Sequence, residues 1–262
     1  MAIGPAHSQS TPKPDGEWRG TLGIGLTATS GNTDSETYSI SGDAVKQTTF
    51  DKMSGYLQSV YGKRRVDGTT ERTADQARAG MAYTRDLNDR MFGFGGADWD
   101  RNPLIDLRLR SVFSAGLGYH VVKSENHSFD ISTGPAYNRE RYTAETRDQS
   151  EWIVAEESTH ALKPTISLKQ KLAYYANLED GGEYRTVFDA GLVFKLNSRW
   201  NVTMTLNTRY QSNPPLGVEK HDALFVTGLQ YAFNPPPQPA APVAALSAAC
   251  GLAHCSNSGE VP

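Results

Sequence analysis

The chain has little cysteine and no long apolar run, and each absence excludes a class of protein. Its two cysteines, Cys250 and Cys255, lie near the C-terminus, so the main body needs no disulfide framework and holds no cysteine-based zinc site. No stretch of the 262 residues approaches the roughly 20 consecutive apolar residues of a membrane helix. A helical membrane protein is therefore excluded. A membrane β-barrel is not, because only alternate residues of its strands face lipid.

An excess of positive charge is also absent. The chain carries 26 basic and 29 acidic residues, for a formal net charge of −3, so nothing favours a nucleic-acid partner. Mean hydropathy is low, at −0.52, and apolar residues make up 38% of the chain. The 24 glycines and 12 tyrosines are typical of a protein with many strands and turns.

Apolar and polar residues alternate along most of the chain, which is the pattern of β-strands with two different faces. The clearest example is 200–206, where every second residue is apolar and the others are Asn or Thr. An even number of strands is expected in a single-chain bacterial barrel. The pattern predicts twelve strands, at 17–30, 35–48, 52–66, 73–85, 90–100, 106–122, 128–142, 151–166, 170–178, 184–196, 199–212 and 221–233.

The connections between these strands alternate in length. Short turns are predicted at 49–51, 86–89, 123–126, 167–169 and 197–198, and mostly longer polar loops at 31–34, 67–72, 101–105, 143–150, 179–183 and 213–220. Membrane barrels have short turns at one rim and longer loops at the outer rim, whereas a soluble sandwich or lipocalin-like barrel does not require this phase. We therefore predict an all-β fold, an antiparallel transmembrane β-barrel of about 12 strands.

The two ends of the chain have a different character from the predicted barrel at 17–233. Residues 1–16 are predicted to be a signal-peptide remnant or a flexible N-terminal segment, since Ala6-His7-Ser8 has the small-x-small form of a cleavage site. Residues 234–262 are rich in proline and alanine, which predicts a disordered C-terminal extension. Just before it, Gly228, Tyr231 and Phe233 resemble the closing strand of an outer-membrane barrel, whose final aromatic residues act as the assembly signal.

Several short motifs occur in an order that resembles one protein family. They are Thr29-Ser30-Gly31-Asn32-Thr33, Asp98-x-Asp100, Arg108-x-Arg110, Gly116-Leu117-Gly118-Tyr119, Gly134-Pro135-x-Tyr137, Pro214-Pro215 and Tyr231-x-Phe233. Over residues 17–233 the chain resembles the salt-stress-induced outer-membrane protein family, which is catalogued as a domain of unknown function. The resemblance implies a signal-peptide-bearing barrel in the outer membrane of a Gram-negative bacterium. It implies no established activity.

Charged residues on the polar faces of the strands are the candidate functional site. In a barrel they would point into the lumen, and the predicted pore-lining residues are Asp98, Asp100, Arg108, Arg110, Asp130, Arg139 and Arg209. Such residues form either a charged constriction that selects solutes or a salt-bridged, largely plugged interior.

Two functions follow from these alternatives. The first is a small channel for ions or solutes, linked to osmotic or salt stress. The second is a closed structural or interaction barrel whose outer loops, 143–150 and 213–220, bind surface partners or lipopolysaccharide. No nucleophile motif, phosphate loop or metal cluster accompanies the six histidines, so we expect no enzyme, no cofactor and no metal. The expected partners are outer-membrane lipids, lipopolysaccharide and the barrel assembly machinery, with no nucleic acid and the oligomeric state left open.

Overall fold

The computed structural model describes residues 14–29, 34–66, 69–124, 126–215 and 217–235. Within these ranges twelve antiparallel strands close into one barrel, in which each strand pairs with its neighbours in sequence and the first pairs with the last. The strands are β1 (Trp18–Thr29), β2 (Asp34–Gln47), β3 (Asp51–Val66), β4 (Thr69–Asp86), β5 (Met91–Asn102), β6 (Leu107–Lys123), β7 (His127–Tyr142), β8 (Thr146–Lys163), β9 (Ile166–Asn177), β10 (Tyr184–Lys195), β11 (Trp200–Gln211) and β12 (His221–Phe233). The predicted all-β antiparallel barrel is confirmed.

Three predicted features lie outside the described residues. They are the segment up to residue 13, the centre of the first loop at 30–33, and the C-terminal extension from residue 236, which contains both cysteines. In the described part of the chain, no helix is long and apolar enough to cross a membrane.

The two ends of the barrel differ in their connections. One end, which we call the terminal rim, carries the start of β1, the end of β12 and the short turns after β2, β4, β6, β8 and β10. The other end, the loop rim, carries the remaining connections, of which the longest within the described chain are 178–183 and 212–220. Of the connections in the described ranges, only these two loops are longer than the terminal-rim turns, since 103–106 and 143–145 are no longer than the turns at 87–90 and 196–199. The predicted alternation in length therefore holds for part of the barrel only.

Two predicted loops are shorter in the structure because the strands extend further. Strand β4 begins at Thr69 and β8 at Thr146, so most of 67–72 and 143–150 belongs to the sheet. These strand ends are polar, and charged pairs such as Arg64 with Glu71, at 2.9 Å, accompany the extra ladder. The turn predicted at 167–169 instead lies at 164–165, where Pro164 needs no ladder partner for a backbone N–H.

The outward face of the barrel is apolar and is bordered by aromatic residues. Outward side chains along its middle include Leu22, Ile24, Ile40, Leu57, Met81, Leu117 and Val154, all exposed. Exposed aromatic residues lie towards the terminal rim (Trp18, Tyr83, Tyr119, Trp200 and Phe233) and towards the loop rim (Tyr38, Tyr61, Tyr137, Trp152 and Tyr174). An apolar belt between two aromatic girdles is typical of a barrel in a membrane.

The inside of the barrel is packed. Each strand contributes at least one buried inward residue, among them Thr21, Asp43, Gln58, Gly80, Phe92, Val112, Asn138, Glu151, Ala173, Asp189, Thr205 and Gln230. Apolar side chains from β5 to β10 form an internal cluster that includes Phe92, Phe94, Val112, Ile153, Tyr175 and Val187. This cluster fills one side of the lumen between the charged groups near the two rims.

Candidate functional site

A ladder of alternating charge crosses four neighbouring strands in the loop-rim half of the lumen. Arg78 on β4 is the cross-strand partner of Asp100 on β5, and Asp100 is the partner of Arg110 on β6. Arg110 is in turn the partner of Glu140 on β7. Arg110 Nε donates to Glu140 Oε1 at 2.8 Å, and its Nη1 lies 3.5 Å from Asp100 Oδ2. Directly opposed charges on one face of a sheet stabilise the pairing of its strands.

A second pair, Glu151 and Arg185, connects β8 to β10 across the intervening strand β9. Arg185 Nε and Nη2 donate to the two carboxylate oxygens of Glu151 at 2.9 and 2.8 Å. The Arg185 guanidinium also lies 3.4 Å from the ring centre of Tyr175 on β9, which is a cation–π contact. The exposed fractions of the two charged side chains are 9% for Arg185 and 3% for Glu151, so this pair is shielded from water.

Asp189 on β10 is fully buried and is shared by two arginines. Its Oδ1 lies 2.9 Å from Arg209 Nη2 and 4.0 Å from Arg78 Nη1, and Asn207 Nδ2 donates to the same oxygen at 2.8 Å. Arg78 Nε is buried and has no hydrogen-bond partner among the described residues. Arg78 is therefore less completely neutralised by hydrogen bonds than Arg110 or Arg185.

Tyr56 holds the carboxylate of Asp98 from across a neighbouring strand. Tyr56 Oη, on β3, donates to Asp98 Oδ1, on β5, at 2.7 Å, and the tyrosine ring passes over Gly80 on the strand between them. A Cβ atom at position 80 would collide with both the Tyr56 ring and the Asp98 carboxylate. Glycine at this position is what allows the contact to form.

The four arginines of these contacts line a cavity of about 70 Å³ that we call the rim basin. They are Arg78 and Arg110 of the ladder, Arg185, which pairs with Glu151, and Arg209, which pairs with Asp189. Asp100, Asp222 and Leu224 also line it, and Val218, Glu219 and Lys220 of the predicted outer loop 213–220 lie over it. A second cavity of about 10 Å³, lined by residues of β1, β2, β3, β11 and β12, has room for about one water molecule.

The structure separates the predicted pore-lining residues into three groups. Asp98, Asp100, Arg110 and Arg209 come together in the loop-rim half of the lumen. Asp130 points inward near the terminal rim, where its Oδ1 lies 2.7 Å from His120 Nδ1.

Arg108 and Arg139 form the third group, whose side chains do not point into the lumen. Arg139 is 46% exposed and lies on the outward face, because β7 turns its even-numbered residues inward. Arg108 is also exposed: a bulge between Leu107 and Leu109 turns Leu107 into the interior in its place.

Sequence reasoning missed the partners that neutralise these groups, chiefly Arg78, Glu151, Arg185 and Asp189. Strand alternation could have identified Arg78, because it lies two residues from both Gln76 and Gly80 and therefore on the same face of β4. The pairing of Glu151 with Arg185 could not have been identified in this way, because the two residues are on strands that are not adjacent.

The arrangement favours electrostatic packing over chemistry. Its arginines and carboxylates engage one another at hydrogen-bond distances and are mostly buried. Among the described residues, no group of three or more histidine, cysteine, aspartate or glutamate side chains could hold a metal ion.

Comparison with known proteins gives a family and distant structural likenesses. A family model described as a protein of unknown function, DUF481, matches residues 22–233. No protein of curated function matches the chain in sequence. The solved outer membrane channel COG4313 from Pseudomonas putida F1 is similar with a TM-score of 0.49 at 14% identity, over 88% of this chain and 98% of that one.

Two further solved structures are similar at the same level. The translocator domain of the autotransporter NalP from Neisseria meningitidis gives a TM-score of 0.44 at 11% identity, over 82% of this chain and 88% of that one. The KdgM porin, solved in complex with disordered oligogalacturonate, gives a TM-score of 0.42 at 9% identity, over 82% of this chain and 99% of that one. Likenesses this distant say nothing about activity.

Proposed function

The chain belongs to the DUF481 family of proteins of unknown function, and from that premise we propose an outer-membrane barrel with a closed lumen, whose functional surface is its loop rim. The observation that carries the proposal is burial inside the barrel. Ile153, Ala173 and Asp189 have an exposed fraction of 0% although they point into the lumen. An open, water-filled pore would leave such residues hydrated.

The outward face of the barrel supports a location in the outer membrane. Its strands are 12 to 18 residues long, and about 9–11 residues are enough for a tilted strand to cross a membrane. With the short turns in the periplasm, as in other barrels, the rim basin faces the outside of the cell. The ending with Gly228, Tyr231 and Phe233 is then the part of β12 that the barrel assembly machinery recognises.

The proposal assigns no catalysis and no cofactor. The expected partners are outer-membrane lipids, lipopolysaccharide and the assembly machinery, and nucleic acid is not among them. Of the two outer loops proposed to bind surface partners, 213–220 lies over the rim basin, whereas most of 143–150 is strand. The loop-rim surface is therefore centred on 213–220 and the basin.

A narrow channel is the second candidate, and the rim basin is the observation that favours it. A basin lined by the charge ladder resembles the mouth of a selective pore, and a shift of the internal side chains would connect it to the terminal rim. A role in osmotic or salt stress suits this candidate, and growth of a deletion strain at high salt tests that link.

Planar-bilayer recording of the purified full-length barrel decides between the candidates. The closed barrel predicts a silent bilayer over a range of applied voltages. Regular conductance steps that change with Arg110→Ala and not with Arg139→Ala would favour the channel. Arg139 is the matched control because it is an arginine on the outward face of the same barrel.

A further inference from the structure

The seam between β1 and β12 is paired over only part of its length. Five residue pairs join the two strands, from Gly20 with Phe233 to Ile24 with Leu229. On their other sides, β1 pairs with β2 over twelve residues and β12 with β11 over eleven. The backbone of 25–29 and of 221–228 therefore has no strand pairing across the seam. We call this part of the seam the open seam.

The open seam lies in the loop-rim half of the barrel wall. Leu26 is the cross-strand partner of Tyr38, which belongs to the aromatic residues on that side, and both face outward. At the inner end of the open seam a Cβ atom on Gly25 would collide with the carbonyl oxygen of Thr227, so the two backbones still touch there. Beyond this contact the ladder ends while the strands continue.

Unpaired backbone groups are costly inside a membrane. In hydrocarbon each unsatisfied N–H or C=O costs several kcal/mol, and irregular backbone is tolerated where it lines a polar cavity. The rim basin supplies such a cavity, because its wall includes Asp222 and Leu224 of the open seam. Through β12 the open seam thus borders the basin, and its unpaired backbone groups form a polar slot there.

The basin carries an excess of positive charge, which favours an anionic group. It is lined by four arginines and Lys220 against three carboxylates, those of Asp100, Glu219 and Asp222. Arg78 and Arg209 share a single carboxylate oxygen of Asp189, and Arg78 Nε has no hydrogen-bond partner among the described residues. At about 10–15 Å³ for each water-sized group, a basin of about 70 Å³ holds a carboxylate with a few carbons and not the head group of a two-chain lipid.

We propose that the open seam is a lateral entrance through which a single-chain anionic amphiphile of the fatty-acid type places its carboxylate in the rim basin. The carboxylate binds at Arg78 and Arg209. The slot of backbone donors and acceptors lines the path of the head group, and the apolar chain stays among the lipids. This inference rests on the proposed function, since it names the ligand class of the loop-rim surface.

The test uses the full chain in phosphatidylcholine vesicles with a palmitate that carries a mid-chain photoreactive diazirine. Mass spectrometry maps where the probe attaches. We expect the acid to attach mainly to 25–29 and 221–228. Its methyl ester, which lacks the charge, is expected to attach over the outward face of all strands. Loss of one charge-assisted hydrogen bond in Arg78→Gln lowers seam labelling about tenfold. Arg139→Gln, on the outward face, leaves the labelling unchanged.

A disulfide across the open seam keeps the proposal testable if Arg78→Gln does not assemble. Cys250 and Cys255 are first replaced by serine, and cysteines are placed at Leu26 and Thr227, which face each other if the register is continued. Oxidation is expected to abolish seam labelling by the acid and reduction to restore it. A matched pair at Leu22 and Tyr231, in the paired part of the seam, is expected to have no effect.

Uniform labelling, or labelling that ignores both Arg78→Gln and the Leu26–Thr227 disulfide, would overturn the proposal. Planar-bilayer recording on the same preparation separates this failure from failure of the closed barrel. Steady conductance with specific seam labelling would overturn the closed lumen alone, whereas a silent bilayer with uniform labelling would overturn the lateral entrance alone.

Discussion

Replacing Glu151 with glutamine removes the charge that balances Arg185 inside the barrel. The native pair is bidentate, with N–O distances of 2.9 and 2.8 Å, and both side chains are at least nine-tenths shielded from solvent. Glutamine keeps the shape and one acceptor oxygen but leaves the guanidinium without a counterion. Asn138, which donates to Glu151 Oε1 at 3.3 Å, loses a charged acceptor at the same time.

The loss of stability expected for Glu151→Gln follows from the burial of the ion pair. Breaking a buried ion pair by removing one partner costs about 3–5 kcal/mol, because the remaining charge is left uncompensated in a medium of low polarity. An exposed pair of the same kind contributes about 0–1 kcal/mol. Arg64 with Glu71 is such a pair in this barrel, at 2.9 Å and with both side chains about half exposed. Glu71→Gln is therefore the matched control.

Urea unfolding in short-chain phosphatidylcholine vesicles, followed by tryptophan fluorescence, measures both variants. We expect Glu151→Gln to lower the free energy of unfolding by about 3–5 kcal/mol and Glu71→Gln by at most about 1 kcal/mol. Equal, small losses in the two variants would mean that Arg185 is hydrated in the native barrel. That outcome would refute the reasoning from a filled lumen.

Two further substitutions test the contacts of the interior and of the closing strand. Gly80→Ala places a methyl group against Tyr56 and Asp98 and is expected to reduce heat-modifiable folded barrel on a gel, whereas Gly95→Ala, which meets nothing within 4 Å, is tolerated; equal behaviour would contradict the packing. Phe233→Ala is expected to lower the amount of barrel in the outer-membrane fraction much more than Phe225→Ala, an exposed phenylalanine on the same strand. Equal yields would remove the assembly role of Phe233.

The sequence was sufficient to predict the fold because alternation is a local property. Strand β12 has the predicted bounds, 221–233, and β10 differs from its prediction by one residue, since large side chains recur at every second position in both, such as Leu229, Tyr231 and Phe233. The errors occur where that signal stops. The polar ends of β4 and β8 continue the ladder without outward apolar residues, and so they resembled loops.

The candidate site was only partly predictable, for two physical reasons. A bulge changes the facing of every residue beyond it, so Arg108 could not be placed without the register around Leu107. Contacts across the lumen depend on barrel closure, so Glu151 and Arg185, on strands that are not neighbours, give no local signal. Arg139 is a different case, since it lies two residues from Tyr137 on β7 and alternation alone already places it on the same, outward face.

Cysteine accessibility inside the barrel tests the closed lumen most directly. In a chain with Cys250 and Cys255 replaced by serine, one cysteine is placed at Ala173, which points inward with an exposed fraction of 0%, and one at Gln76, in the wall of the rim basin. The rate of reaction with a small charged methanethiosulfonate is measured in vesicles. The closed lumen predicts rapid reaction at position 76 and none at 173. Reaction at 173 as fast as at 76 would show a continuous aqueous path and contradict it.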